Sequence, residues 1–306
     1  MAGRLRSPVE DLYARVVESE LTDVPSHVAV IQDGNRRYAE TRGVEKTAGH
    51  REGAQTTEDL LRWCDQLGVD EVTLYAFSTE NFERPAAERE AIFDLVTEKL
   101  REFADAEDVH EKEVRIRAIG ELDQLPQRVR DAIRYANERT AEYDNLHLNI
   151  ALAYGGRAEL LGAAREIARQ VRDGELAPDE VDTGTVEAAL SDGPARSVDL
   201  IVRSGGDERT SNFLPWQANG NEAAVYFTTP YWPEFRRIDF LRGIRTYSNR
   251  DESWGQTRVR RARALVSVLA GAAAGRLRSL GSRDTAGDAP DGEVEETGEQ
   301  PLESPN

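Results

Sequence analysis

Short apolar runs alternate with longer helical stretches over most of this chain. His27–Ile31 (HVAVI) reads as a buried strand that stops abruptly at Asp33-Gly34-Asn35. A helix over 52–67 then leads to a strand over 72–77, a helix over 86–106 to a strand over 113–119, and a helix over 123–142 to a strand over 146–153. A helix over 157–172, a further one near 184–190, a strand over 198–203 and a short strand over 223–227 complete the pattern. Strands that alternate with helices predict an α/β fold, a mainly parallel six-stranded sheet flanked by helices. Ahead of it, Ser7, Pro8 and Glu10 carry the signature of a capped helix start, with Val9, Leu12, Tyr13, Val16 and Leu21 recurring at helical spacing.

In such sheets ligands bind beyond the carboxyl ends of the strands. Three polar clusters fall there: 33–37 (DGNRR), 78–84 (STENFER) and 203–211 (RSGGDERTS). Within the first, Gly34 permits a tight turn, and the next helix start offers N–H groups to a phosphate. Arg36 and Arg37 add charged donors, and Asp33 can share Mg2+ with phosphate oxygens; an ordinary Asp-Gly-Asn turn is the other reading. Lys46 and His50 stand near the start of the following helix, where they suit an anion or are a surface feature. In the second cluster Ser78 or Thr79 can cap and Pro85 can start a helix, beside Glu80, Asn81, Phe82 and Arg84. In the third, Arg203 and Arg209 flank glycines, with the hydroxyls of Thr210 and Ser211 close behind, which suits a second anion. Glu222 lies in an apolar, amide-rich stretch and needs an arginine or a metal as partner. His27, inside a strand, is expected to be a hydrogen-bonded structural residue. There is no G-x-G-x-x-G, P-loop or internal repeat.

Charge narrows the partners. The 306 residues carry 57 acidic against 39 basic side chains, a net −18, and Lys46, Lys99 and Lys112 are the only lysines. That balance argues against nucleic acid and for a salt-adapted, halophilic surface. An anionic substrate must then be held by a local concentration of arginines. No secretory leader and no stretch of about 18 apolar residues is present, so a cytoplasmic protein is expected. The lone Cys64 is expected to be a buried thiol. Residues 257–275 suit either a helix packed on its own domain or a partner, or an amphipathic helix on the inner face of the cell membrane. One folded domain is expected to span 1–275, with its core motifs in 27–235, and the acidic stretch 276–306 to be disordered.

Five blocks, in order, give the chain a specific resemblance: HVAVIQDGNRRYA at 27–39, GHREGA at 49–54, LYAFSTENFERP at 74–85, LNIALAYGGR at 148–157, and DLIVRSGGDERTSNFLPWQ at 199–217 with AAVYFTTPYWPEF at 223–235. Together they resemble the undecaprenyl diphosphate synthase family of cis-prenyltransferases. The resemblance implies a hydrophobic tunnel, a homodimer, and Mg2+-dependent addition of isopentenyl diphosphate to an allylic diphosphate. It assigns Asp33 to catalysis and, with Glu222, to the metal, and Asn81 to the position often given to the proton acceptor. A carboxamide is a very weak base, so a diphosphate oxygen, or Asp33 through water, is the better chemical candidate. It gives Gly34, Asn35, Arg36, Arg37, Lys46, His50 and Arg84 to the allylic diphosphate, and Tyr38 and Phe82 to its isoprenoid part. Ser78, Thr79 and Glu80 line the same pocket, and Arg203, Arg209, Thr210 and Ser211 take isopentenyl diphosphate.

Gln32, Arg36, Tyr38, Lys46, Phe82 and Asp207 depart from the commoner bacterial pattern. Arg36-Arg37-Tyr38 is more similar to archaeal and eukaryotic relatives and, with the surface charge, implies a haloarchaeal enzyme. By analogy its starter is geranylgeranyl diphosphate in preference to farnesyl diphosphate, and its product a glycosyl-carrier polyprenyl lipid. A non-catalytic subunit of this fold tends to lose the aspartate turn, and a lipid binder needs no paired anion pockets. Both features are kept here.

Overall fold

The computed structural model describes residues 8–190, 196–218, 223–250 and 262–268. Six strands, β1 (His27–Ile31), β2 (Glu71–Ser78), β3 (Val114–Ile119), β4 (Leu146–Tyr154), β5 (Leu200–Arg203) and β6 (Ala224–Phe227), form one sheet in the order β3-β4-β2-β1-β5-β6. Every pairing is parallel. The helices are α1 (Pro8–Ser19), α2 (Asn35–Arg42), α3 (Lys46–Leu67), α4 (Ala86–Asp105), α5 (Glu107–Glu111), α6 (Gln127–Arg139), α7 (Gly156–Arg172), α8 (Thr183–Ala189) and α9 (Arg237–Ser248). Residues 262–268, inside the stretch expected to form a terminal helix, are helical; the rest of that stretch, Ser7 and the acidic tail lie outside the described residues. Among the described residues no helix is long and apolar enough to cross a membrane.

Strand periodicity sorts the core into two faces. Val28 and Val30 of β1 join Leu60, Trp63 and Cys64 of α3, Ile92 and Leu100 of α4, Val129 and Ile133 of α6 and Phe240 and Ile244 of α9 in the larger cluster. Ala29 and Ile31 point the other way, to a smaller cluster with Ile201, Phe213 and Leu214. Cys64 is fully buried, which pushes its thiol pKa well up. His27 is fully buried too, with Nδ1 3.0 Å from the Arg196 carbonyl and Nε2 2.8 Å from Thr73 Oγ1.

Two differences from the expected elements have local causes. Helix α3 starts at Lys46, ahead of the predicted 52, through a run holding Gly49 and Gly53. Those glycines lower helix propensity but are required by packing. A Cβ on Gly49 would meet the Asn35 carbonyl oxygen at 2.2 Å, and one on Gly53 the Asn35 Oδ1 at 2.3 Å. Helix α9 was not anticipated. Its apolar face, Ile238, Leu241 and Ile244, follows a Pro-rich stretch, and α1 packs Ala14 and Val17 against it.

The chain leaves β1 to build β2, β4 and β3 on one side, then returns to place β5 on the other. The carboxyl ends of β1 and β5 therefore border a topological switch point, the crevice where open α/β sheets bind ligands. All three polar clusters converge on it.

Candidate active site

Asp33 stands directly after β1, on a turn fixed by its own backbone. The Ser204 hydroxyl accepts from the Asp33 N–H (3.0 Å) and donates to the Asp33 carbonyl (2.8 Å), and that carbonyl also accepts from the Trp232 N–H (2.9 Å). Gly34 follows with φ of 100°, a left-handed conformation, and caps α2 with Tyr231 packed against it. The turn aims the Asp33 carboxylate at the switch point, where two arginines grip it. Arg203 Nη2 donates to Oδ2 at 2.7 Å and Arg37 Nη2 lies 3.0 Å from Oδ1. Burial tends to raise the Asp33 pKa, but the Arg203 hydrogen bond and the charges of Arg37 and Arg203 outweigh it and hold it below the ordinary carboxylate value.

Asp207 completes a ring of charge. Its carboxylate lies 3.2 Å from Arg203, 2.9 Å from Arg209 and 3.6 Å from Arg37. Three guanidiniums thus face two carboxylates, and the Arg203 side chain is only 4% exposed. Arg203 also donates to Ser211 Oγ, while its Nε is buried without a hydrogen-bond partner. A buried guanidinium N–H with no acceptor is costly and is suited to an incoming anion.

A second group lies on the α2–α4 side of Asp33. Arg84 and Arg36 share the carboxylate of Glu88, at 3.1 and 3.5 Å. Glu88, in the first turn of α4, is buried, at 8% side-chain exposure, and was not singled out in the sequence. Beside them His50 Nε2 is buried with no hydrogen-bond partner. Burial, then the charges of Arg84 and Arg36 with Glu88 opposing, lowers the His50 pKa to about 4. The imidazole is neutral, facing a cationic corner.

Both groups open onto one cavity of about 530 Å3 that continues away from the charges between the sheet and helices α3 and α4. Its inner part is apolar, with Leu74, Ala76 and Ile150 from the sheet and Ile92, Leu95, Val96, Leu100 and Phe103 along one face of α4. Asp33, Gly34, Asn35, Arg36, Arg37 and His50 line its mouth on one side. Ser78, Glu80, Asn81 and Arg84 line another, and Arg203, Arg209 and Ser211 the third. Ser78 caps the 3-10 turn Thr79–Glu83, and Asn81 Oδ1 accepts from the Ser78 N–H at 3.2 Å.

Other predicted site residues lie off this wall. Tyr38 is buried, with its hydroxyl donating to Glu52 Oε2 at 2.6 Å. One step round α2 from Arg37, its ring turns toward α3 and away from the apolar arm. Phe82 is half-buried and packs edge-on against Phe77, ring centroids 5.0 Å apart, at the margin of the larger core cluster. Lys46 is the first residue of α3, and Thr79 packs against Gly155. Thr210 is exposed in the loop after β5. Glu222 lies outside the described residues.

Among the described residues no group of three or more His, Cys, Asp or Glu side chains could hold a metal alone. Magnesium is commonly held by one or two carboxylates together with substrate phosphates. Asp33 fits that role, and Asp207 shares its Arg203 Nη2 partner, so the two carboxylates are close neighbours.

Comparison with known proteins agrees with this geometry. The prenyltransferase family model, described as an undecaprenyl diphosphate synthase, matches residues 31–255. A tritrans,polycis-undecaprenyl-diphosphate synthase (geranylgeranyl-diphosphate specific) of Haloarcula marismortui is 66% identical over 257 residues, 84% of each chain. The enzyme of the same name from Halobacterium salinarum is 60% identical over 269 residues, 88% of this chain and 89% of its own. Among solved structures, lavandulyl diphosphate synthase from Lavandula x intermedia, in complex with dimethylallyl diphosphate, superposes with a TM-score of 0.70 at 33% identity, covering 76% of this chain and 98% of that one. The chain belongs to the undecaprenyl diphosphate synthase family of cis-prenyltransferases.

Proposed function

We propose that the chain lengthens geranylgeranyl diphosphate by sequential cis condensation of isopentenyl diphosphate, giving a long-chain polyprenyl diphosphate that serves as a glycosyl-carrier precursor. The observation that carries this reading is the pairing of two arginine groups, one on each side of Asp33, with a single apolar arm leading away from them. Two diphosphates and one hydrocarbon chain account for all three features. The names of the haloarchaeal relatives support the choice of starter.

In this reading Arg36, Arg37, Arg84 and His50 hold the allylic diphosphate, and its chain enters the apolar arm. Arg203, Arg209 and Ser211 hold isopentenyl diphosphate across the crevice. Mg2+, held by Asp33 and diphosphate oxygens, would supply charge stabilisation to the departing diphosphate. The arginines add fixed positive charge in a partly dehydrated site, where it acts more strongly than in water. The allylic C–O bond breaks, the double bond of isopentenyl diphosphate attacks the allylic carbon, and loss of a proton leaves the new cis alkene. Asn81 already accepts a backbone N–H through its carbonyl oxygen. A carboxamide so engaged is a poor base, so Asn81 positions the alkene while a diphosphate oxygen takes the proton.

The same reading places the enzyme in the cytoplasm as a homodimer, with a peripheral contact at the membrane that receives its product. The test is an assay in high salt with Mg2+, labelled isopentenyl diphosphate and allylic starters of different lengths. Butanol-extractable polyprenyl product, formed best from the C20 starter and abolished by a chelator, is expected. Absence of product with every starter would refute the proposal.

A further inference from the structure

Helix α7 begins on two glycines, Gly155 as its cap and Gly156 as its first residue, so no side chain there accepts from the free N–H groups of the first turn. Asn212, 55 residues beyond Arg157, does so instead. Its backbone carbonyl accepts from the Gly156 N–H at 3.0 Å, and its side-chain Oδ1 accepts from the Arg157 N–H at 2.9 Å. The glycines permit this approach. A Cβ on Gly156 would lie 2.8 Å from the Asn212 carbonyl oxygen and 2.2 Å from Pro215 Cδ, and one on Gly155 would lie 2.7 Å from Thr79 Oγ1. The start of α7 is therefore where the segments that follow β2 and β5 meet.

This clamp holds a loop that its own backbone would not keep. Ser211, Asn212 and Leu214 take left-handed φ values of 50°, 60° and 49°. Asn tolerates that region, whereas Ser and Leu stay in it only where their surroundings hold them. On one side of Asn212, Phe213 and Leu214 are buried, and Phe213 stacks on Tyr75 with ring centroids 4.4 Å apart. On the other side, Ser211 Oγ and the Arg209 carbonyl oxygen both accept from Arg203 Nη1. Asn212 stands between the two halves and ties them to α7.

We infer that Asn212 is a positioning residue for the acceptor substrate: its grip on α7 fixes Ser211, and through it the Arg203 guanidinium, in the arrangement that receives isopentenyl diphosphate. This rests on the reading that Arg203, Arg209 and Ser211 hold that substrate. Without the side-chain cap the Arg157 N–H loses its acceptor and the left-handed turn loses a restraint. Ser211 then relaxes, its hydroxyl leaves Arg203, and the diphosphate must order the loop as it binds. Arg36, Arg84 and His50 lie on other segments, so the allylic side keeps its geometry.

The full-length enzyme and its Asn212→Ala, Asn212→Asp and Asn212→Gly variants are compared in molar KCl with Mg2+. Isopentenyl diphosphate is varied at saturating geranylgeranyl diphosphate, and then the reverse. Asn212→Ala should raise KM for isopentenyl diphosphate about tenfold, the worth of one charge-assisted hydrogen bond, while kcat and KM for the starter stay within about twofold. Asn212→Asp keeps an acceptor that the positive end of α7 favours, and should hold KM within about twofold of wild type. Asn212→Gly enters the left-handed turn freely but has no Oδ1, and should behave like Asn212→Ala. Unchanged KM in Asn212→Ala, equal rises for both substrates, a loss confined to kcat, wild-type KM in Asn212→Gly, or no rescue by Asn212→Asp would each overturn the inference. If Asn212→Ala loses its cooperative unfolding transition, Asn212→Gly takes its place under the same criterion. Arg209→Ala, measured alongside, separates the two ways of failing: if it also leaves KM for isopentenyl diphosphate unchanged, the acceptor site itself is misassigned.

Discussion

His50 gives the site a pH signature that can be worked from its surroundings. Its folded-state pKa is about 4 against an ordinary value of 6.5. Above 6.5 the imidazole is neutral in both states, and the fold keeps its full stability. Between 6.5 and 4 the unfolded chain takes up a proton that the folded site refuses, so stability is lost as pH falls. A gap of 2.5 pH units corresponds to about 3 kcal/mol at most, of which about 2 kcal/mol is gone by pH 5. The perturbation is His50→Gln, which keeps a polar side chain and removes the titration. Urea unfolding in molar KCl, followed for both proteins from about pH 7.5 to about pH 5, isolates this residue because every other titrating group is common to the pair. The advantage of wild type over the variant should shrink by about 1–2 kcal/mol over that range; salt screens the repulsion from Arg84 and Arg36, while the dehydration of the ring remains. A difference that stays constant to within about 0.5 kcal/mol would show that His50 is solvated and refute the buried neutral ring.

Three further outcomes are expected. Asp33→Ala should lower kcat by about 10^3 or more while urea unfolding stays cooperative, since Arg203 retains Asp207 and Ser211 as partners; wild-type turnover would remove Asp33 from the chemistry. Gly34→Ala should destabilise the fold by about 2–4 kcal/mol, by left-handed strain and overpacking, because a Cβ there would lie 2.6 Å from Tyr231 Cδ1; an unchanged unfolding free energy would contradict the turn. Arg209→Ala should raise KM for isopentenyl diphosphate about tenfold or more, and Arg84→Ala should do so for the allylic starter, each losing charge-assisted hydrogen bonds. Steady-state kinetics with each substrate varied would expose a reversed assignment.

The sheet was legible because short runs dominated by apolar residues alternate with longer helical stretches, and because each polar cluster begins where a strand ends. Asp33, Arg203 and Ser78 all stand within two residues of a strand end. What the sequence concealed is rotation and partnership. Tyr38 neighbours Arg37 in the chain, yet its side chain faces α3 and not the crevice, because successive helical residues differ by about 100° in direction. Glu88 sits in a run of charged residues, AAERE, that looks like a solvated helix face. Only the fold shows it buried beneath Arg84 and Arg36. Lys99 looks like a surface lysine until α3 brings Glu58 to it. Gly49 and Gly53 carry no sign of their packing in the sequence, yet they form a close contact between α3 and the Asn35 backbone and amide.

The site also explains how a chain with a net charge of −18 binds two polyanions. Its guanidiniums are not free: Asp207 occupies Arg203, Arg209 and Arg37, and Glu88 occupies Arg84 and Arg36. Five arginines are thus gathered around one crevice of an acidic protein, each already oriented by a carboxylate. The carboxylates keep the guanidinium planes fixed before substrate arrives, which limits the ordering cost of binding. An arriving diphosphate then exchanges with a carboxylate and does not have to gather mobile side chains. Asp33 shares Arg37 and Arg203 with Asp207 but holds both more closely, at 3.0 and 2.7 Å against 3.6 and 3.2 Å. In the proposed reaction Asp33 would hold Mg2+ while Arg37 and Arg203, which it now engages, would offer their N–H groups to the two diphosphates. On the proposed reading Asp33 would link the donor and acceptor sites as well as the metal, which is why its loss is expected to reduce turnover far more than the loss of either flanking arginine.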